Sequence, residues 1–356
     1  MKTSQAFKNY KNQTSAAKQS IQNRYEGKME TSSSYSSTPA IYVIPGQGDS
    51  PSAALKSLYE RSPPARECID ETLDDIEAIL REEPYDHEPR LLRNVLLGNA
   101  SAAVPVGIPQ LSAFATAVCV HRFLERQHVR PVAIIGQSLG EIGSLVCSGV
   151  WSVADGVRAV LALNDAFRPF AGRGGMTAVA ASETDTRALL DEIAHERLVL
   201  ACVNAPRQTV VSGPHTALDT LTAFASRRGI KLHSLPIPYP AHHPALWTAA
   251  DRFHDAIVRL PRNRFRVPVY SAVACRRYTD TDDIARALAD CFTKPYYMPA
   301  VLEHSQVGRD SIYIDLSMTG IMNRSIKAAL PDARTYSPTR ETDSFPFNLN
   351  HTGALQ

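Results

Sequence analysis

The stretch Val132-Ala133-Ile134-Ile135-Gly136-Gln137-Ser138-Leu139-Gly140-Glu141 carries the strongest chemical signal in this chain. An apolar, β-branched run ends in Gly-x-Ser-x-Gly and passes into an apolar-periodic segment. That order displays a serine nucleophile. A sharp strand-to-helix turn lifts the hydroxyl above the end of a sheet, and the flanking Gly136 and Gly140 let strand and helix cross closely. A serine there also sits at a helix N-terminus, where unpaired N–H groups and the helix dipole favour the charge of a tetrahedral intermediate. A second loop, Pro45-Gly46-Gln47-Gly48-Asp49, follows the apolar run Ile41-Tyr42-Val43-Ile44. Alone it reads as a tight turn or a fragment of a dinucleotide loop, and the missing third spaced glycine argues against the nucleotide.

These residues need a scaffold. Between 176 and 236 the pattern becomes short and alternating: strand from Met176 to Ala181, helix from Asp185 to His195, strands from Leu198 to Val203 and Thr209 to Ser212, helix from Thr216 to Arg228, strand from Ile230 to Leu235. The order β-α-β-β-α-β is the split, ferredoxin-like arrangement, inserted after the nucleophile helix. The expected class is therefore α/β. An α/β-hydrolase-like large subdomain (40–172 and 236–338) would carry an inserted ferredoxin-like small subdomain (173–235). The polar, Ser-rich residues 1–39 read as a disordered tail and 339–356 as a loose end.

Composition narrows the function classes. With 356 residues and 44% apolar content the chain can bury a sizeable core. A formal net charge of +2 gives no general attraction to nucleic acid or membrane, although Arg227-Arg228-Gly229-Ile230-Lys231 and Arg262-Asn263-Arg264-Phe265-Arg266 are locally basic. Six scattered cysteines without a C-x-x-C pair read as reduced thiols in a cytoplasmic protein, and no metal site is expected. No run approaches the roughly 18 apolar residues of a membrane span, and no secretory h-region opens the chain.

From about residue 41 to 335 the sequence resembles the malonyl-CoA:acyl-carrier-protein transacylase family, which includes the acyltransferase domains of polyketide and fatty-acid synthases. Four motifs in the family's order carry the resemblance: Pro45-Gly46-Gln47-Gly48, Gln110-Leu111-Ser112-Ala113-Phe114 opening a helix, Gly136-Gln137-Ser138-Leu139-Gly140-Glu141, and Tyr239-Pro240-Ala241-His242-His243-Pro244. Further matching text is Ala171-Gly172-Arg173-Gly174-Gly175-Met176, Val203-Asn204-Ala205-Pro206 and Val267-Pro268-Val269-Tyr270-Ser271. The resemblance implies that Ser138 attacks a thioester carbonyl and that His242 serves as its general base, with His243 a rival by proximity. It implies a backbone carbonyl near Ser271 or Ala272 holding the histidine where triad hydrolases use a carboxylate. The backbone N–H groups of Gln47 and Leu139 would form the oxyanion hole. Gln110, Gln137, Leu163 and Asn204 would border the substrate.

Three departures shape the expected substrate. Family members that take malonyl groups carry an arginine in the helix after the nucleophile; alignment by the flanking glycines puts that position at Leu163. Arg158 and Arg168 lie five residues to either side, rotated about 140° around a helix, and cannot substitute simply. Gln137 stands where the family usually has histidine, and Asp315-Leu316-Ser317-Met318 lacks the family's proline. The expectation is a discrete, monomeric acyltransferase that moves an acyl group without a free carboxylate (a starter, aminoacyl, peptidyl or fatty acyl group). The donor would be coenzyme A or a carrier protein, and the acceptor the phosphopantetheine thiol of an acidic acyl carrier protein, with no bound cofactor. Arg227, Arg228, Lys231, Arg276 and Arg277 are candidates for the carrier contact. The alternatives are an editing acyl hydrolase of the same fold, a malonyl-type transacylase using another cation, and a catalytically silent carrier-protein scaffold.

Overall fold

In the computed structural model, which describes residues 38–47, 51–100, 104–305 and 311–341, the apolar runs around both motif loops become neighbouring strands. The expected tail falls outside the described residues except for residues 38 and 39, as do Gly48, Asp49 and residues 342–356. The chain runs β1 (Ala40–Ile44), α1 (Lys56–Arg61), α2 (Pro63–Glu82), α3 (Leu91–Leu96), α4 (Ile108–Arg126), β2 (Pro131–Gly136), α5 (Gly140–Cys147) and α6 (Val153–Phe167). It continues through β3 (Gly175–Val179), α7 (Glu183–Ile193), β4 (Val199–Ala205), β5 (Gln208–Gly213), α8 (His215–Arg227) and β6 (Leu232–Ser234). It closes with α9 (Trp247–Ile257), β7 (Val269–Ser271), β8 (Arg276–Arg277), α10 (Ile284–Thr293), β9 (Tyr296–Tyr297), α11 (Met298–His304), β10 (Ile312–Asp315), α12 (Ile321–Ala329) and β11 (Arg334–Tyr336).

The larger sheet has the order β11-β10-β1-β2-β7-β8, parallel throughout except at β8. All five residues of β1 are buried, as expected of a parallel strand covered on both faces. Ile44 stands opposite Gly136, so Pro45-Gly46-Gln47 and Gln137-Ser138 leave the same edge of the sheet. The carboxyl ends of parallel strands are where α/β folds place their ligands. Helix α6 starts at a capping box: the Ser152 hydroxyl accepts from the Asp155 N–H at 3.1 Å, and the Asp155 carboxylate accepts from the Ser152 N–H at 3.3 Å.

The second sheet has the order β6-β3-β5-β4-β9. Its first four strands, with α7 and α8, reproduce the β-α-β-β-α-β order and form their own apolar cluster of Val179, Leu189, Val211, Leu218 and Leu221. Boundaries differ from expectation for local reasons. Ser182 accepts a hydrogen bond from the Asp185 N–H and starts α7 at Glu183, and Ala194, at φ 51°, ends it two residues early. The fifth strand was not anticipated. β9 comes from beyond residue 236 and pairs in parallel with β4, Cys202 opposite Tyr296. Among the described residues no helix is long and apolar enough to cross a membrane.

Candidate active site

Ser138 occupies the turn between β2 and α5 with φ 56°, a left-handed conformation that costs energy for any residue with a Cβ. The turn survives because the flanking positions are bare. A Cβ on Gly140 would stand 2.1 Å from the Ile44 carbonyl oxygen, and one on Gly136 would stand 2.8 Å from the Glu141 Cα. Glu141 then clamps α5 from below. Its fully buried carboxylate accepts from the Ser271 hydroxyl at 2.7 Å and from the Tyr278 hydroxyl. Burial raises its pKa to about 7, only partly opposed by those donors.

His242 Nε2 lies 2.9 Å from Ser138 Oγ. Its Nδ1–H donates to the Lys294 carbonyl at 2.8 Å, which leaves the Nε2 lone pair facing the serine hydroxyl. Burial lowers the His242 pKa to about 4, against a smaller opposite effect of the Lys294 hydrogen bond, so the imidazole is neutral at pH 7. His242 shares with Ser138 a left-handed backbone, φ 57°. His243 is engaged elsewhere: Nε2–H donates to the Arg197 carbonyl at 3.2 Å and Nδ1 accepts from the Ala245 N–H. The carbonyl expected near Ser271 or Ala272 is instead that of Lys294. The Ala272 carbonyl accepts from the Tyr297 N–H, and the end of α10 is what reaches the imidazole.

Ser138 opens on a narrow cleft lined by Gln47, Leu139, Ile142, Leu163, Phe167, Ala241, Phe253, Leu288, Cys291 and Phe292. Gln47 and Leu139, the two residues expected to form the oxyanion hole, both border it together with Ser138. Beyond them no cation lines the cleft among the described residues, and Leu163 presents an apolar side chain to it. Arg158 and Arg168 are turned away. They line a separate cleft and pair with Glu83 at 2.7 Å and Asp86 at 2.9 Å, respectively.

Of the four residues expected at the substrate, only Leu163 lines the cleft. Gln110 stands behind it, its Nε2 donating to Gln47 Oε1 at 2.7 Å and to the Tyr239 hydroxyl, which itself donates to Gln47 Oε1. Gln137 and Asn204 form a second polar knot: Gln137 Nε2 donates to Asn204 Oδ1 at 3.0 Å and to the Tyr296 hydroxyl, and Tyr296 donates to Asn204 Oδ1 at 2.6 Å. The Tyr296 ring meets His242 edge-on with centroids 5.1 Å apart. Lys294, Tyr296 and the rings of Phe253 and Phe292 escaped sequence reasoning. Only the Pro after Lys294, which forces extended backbone, hints at an element change there.

The five basic candidates fall at two places. Arg227, Arg228 and Lys231 bracket the turn from α8 to β6, an edge of the smaller sheet, while Arg276 and Arg277 form β8, an edge of the larger one. Arg228 pairs with Glu192, and Arg276 pairs with Asp282 at 2.8 Å.

The chain is similar in sequence and fold to known proteins. The spectinabilin polyketide synthase system protein NorA' of Streptomyces orinoci is 30% identical over 243 residues, 68% of this chain and 6% of that protein. The chain thus spans less than a tenth of that protein's length. Among solved structures, a loading acyltransferase from the avermectin modular polyketide synthase aligns with TM-score 0.71 and 25% identity, covering 84% of this chain and 93% of that one. The complex of a type II polyketide acyl-carrier protein with its malonyl-transacylase, PlMCAT:AntF, shares the fold with TM-score 0.74 at 19% identity over 84% of this chain and 96% of that one. The profile of the acyl transferase domain matches residues 41–340, both motif loops and the histidine segment included, and the chain belongs to that family.

Proposed function

We propose that this chain is a serine acyltransferase that moves an uncharged acyl group between phosphopantetheine thioesters, onto an acyl carrier protein. The observation that carries this reading is the Ser138–His242 pair opening on a cleft that, apart from Gln47, is walled by apolar side chains. Ser138 Oγ attacks the thioester carbonyl carbon while His242 Nε2 takes its proton. The oxyanion forms beside the N–H groups of Gln47 and Leu139. Collapse breaks the C–S bond, His242 returns the proton to the departing sulfur, and the acyl group remains as an ester on Ser138. In the second half the carrier-protein thiol gives its proton to His242 and its sulfur attacks the ester. Collapse then returns the proton to Ser138.

The choice of acyl group follows from desolvation. A carboxylate placed against Leu163, Phe167 and Ile142 would lose water and gain no partner, at a cost of several kcal/mol. Malonyl-type donors are therefore disfavoured, and Arg158 and Arg168, already paired with acids outside the cleft, supply no substitute. The acyl-carrier protein solved in complex with its malonyl-transacylase, which shares this fold, supports a carrier-protein partner for this chain as well. Arg227, Lys231 and Arg277 are the basic side chains we assign to that contact, since Arg228 and Arg276 already hold acids. The test is intact-protein mass spectrometry with a donor panel that includes malonyl-CoA and neutral acyl-CoA, with and without holo carrier protein. Neutral adducts that pass to the carrier support transfer; adducts released to water in its presence identify a hydrolase; no adduct with any donor overturns both.

A further inference from the structure

The chamber beside Ser138 is closed by a row of rings. Phe167 stacks on Tyr239 with centroids 4.0 Å apart and planes 12° from parallel, and on Phe292 at 4.4 Å and 17°. Phe292 in turn meets Phe253 at 5.1 Å. Three of these rings, with Leu163, Leu288 and Cys291, wall the chamber. Its cavity volume is about 20 Å³, room for one or two water molecules.

The row cannot yield one ring at a time. Phe167 has a ring against each face and Phe292 is flanked by Phe167 and Phe253, so swinging either ring means moving its neighbours. Tyr239 is held at the other end by Gln47 and Gln110. Phe292 is fixed through its backbone too: its carbonyl accepts from the His243 N–H at 2.9 Å, two residues before the Lys294 carbonyl that holds His242. Apart from Gln47, Ser138 and the Cys291 thiol, no polar side chain lines the chamber among the described residues.

We propose that this aromatic row sets the length of the acyl group, so that the protein loads short neutral acyl groups of about two or three carbons, one or two beyond the carbonyl, and rejects longer ones. The proposal rests on Ser138 carrying the acyl ester. It names Phe167 and Phe292 as the residues that fix specificity.

The full chain is incubated with straight-chain acyl thioesters from acetyl to octanoyl, offered as coenzyme A and as N-acetylcysteamine derivatives, and Ser138 loading is timed by intact-protein mass spectrometry. Propionyl loads at least about 100-fold faster than octanoyl, since each methylene that a pocket cannot hold is worth roughly 10- to 200-fold. Phe167→Ala lowers that ratio by about tenfold or more, by opening the row. Phe167→Leu, which keeps more of the packing, lowers it in the same direction and covers failure of the alanine variant to fold. Octanoyl loading as fast as propionyl in the unaltered protein overturns the length limit while leaving the acyl-enzyme intact, as does a ratio unmoved in a folded Phe167 variant. No adduct on Ser138 from any donor removes the acyl-enzyme itself and the length limit with it.

Discussion

Helix α6 shows a different chemistry to each of the two clefts it borders. Toward Ser138 it presents Leu163 and Phe167, one turn apart; toward the other cleft it presents Arg158, Leu161, Ala162 and Asp165, with Arg168 just past its end. The second cleft is roomier, about 590 Å³ against 20 Å³, and adds Arg252 and Glu83 to its rim. Both arginines next to the acyl position hold acids: Arg158 pairs with Glu83 and Asp155, Arg168 with Asp86 and Asp165. Cations that are close in sequence to the acyl position are thus bound elsewhere. Helical phase, not proximity along the chain, decides which groups a substrate meets.

The comparison breaks most completely at Ser138. Ser138→Ala should abolish the acyl adduct while leaving the fold intact, because an alanine meets the same backbone strain and loses only the hydroxyl. Persistence of the adduct in intact-protein mass spectra would move the chemistry out of this cleft. His242→Ala should slow acylation by about 10²- to 10⁴-fold, and His243→Ala by far less, since only His242 reaches Ser138. The low His242 pKa predicts a pH profile as well. The base is neutral down to about pH 4, so the acylation rate should hold steady from pH 8 to pH 5 and fall only as pH approaches 4. The same shift acts on stability. The folded pKa lies below the ordinary 6.5, the unfolded chain binds the proton more readily, and stability present above pH 6.5 is lost as pH falls toward 4. Thermal unfolding across that window should show the loss, and His242→Gln should reduce it.

What could be read from sequence divides along the same line between local and distant. The turn Gly136-Gln137-Ser138-Leu139-Gly140 announces itself because a strand, a strained residue and a helix start must occur within a few positions, and the glycines must be bare for steric reasons. The four-strand insertion was legible because its strands and helices alternate over short segments. The walls of the acyl chamber were not. Phe253, Leu288 and Phe292 sit on α9 and α10, whose apolar stripes look like those of any core-facing helix, and nothing in the stripe says that one of its residues closes a cleft. Lys294 was equally hidden, because it acts through its backbone carbonyl and any residue type could serve. Gln137 and Asn204 were singled out from their motifs, but the role of each became definable only when β9 carried Tyr296 to the edge of the smaller sheet.

Leu163→Arg sharpens the comparison by giving the inner face of α6 the charge that its outer face carries. Loading of malonyl relative to a neutral donor of similar size should rise by about 10- to 150-fold at most, the worth of one charge-assisted hydrogen bond of roughly 1.5–3 kcal/mol. The gain will be smaller where the guanidinium finds no supporting contact in an otherwise apolar chamber. In the unaltered protein, malonyl loading equal to that of the neutral donor would show that a cation does reach the cleft.

The smallest expected effect is the control that makes the contrast between the faces meaningful. Arg158→Ala and Arg168→Ala each remove a cation from the outer cleft, and neither residue touches the chamber beside Ser138. Both are solvent-exposed partners in ion pairs, which contribute about 0–1 kcal/mol each, so the unfolding midpoint should move little. The ratio of malonyl to neutral acyl loading should change by less than about twofold, because a paired charge on the far side of the helix is screened from the acyl terminus by its partner and by water. A marked drop in malonyl loading in either variant would mean that its guanidinium leaves Glu83 or Asp86 and swings around α6 when substrate binds. In that event the outer face would be part of the substrate site, and the double variant with Leu163→Arg would restore what the single one had lost.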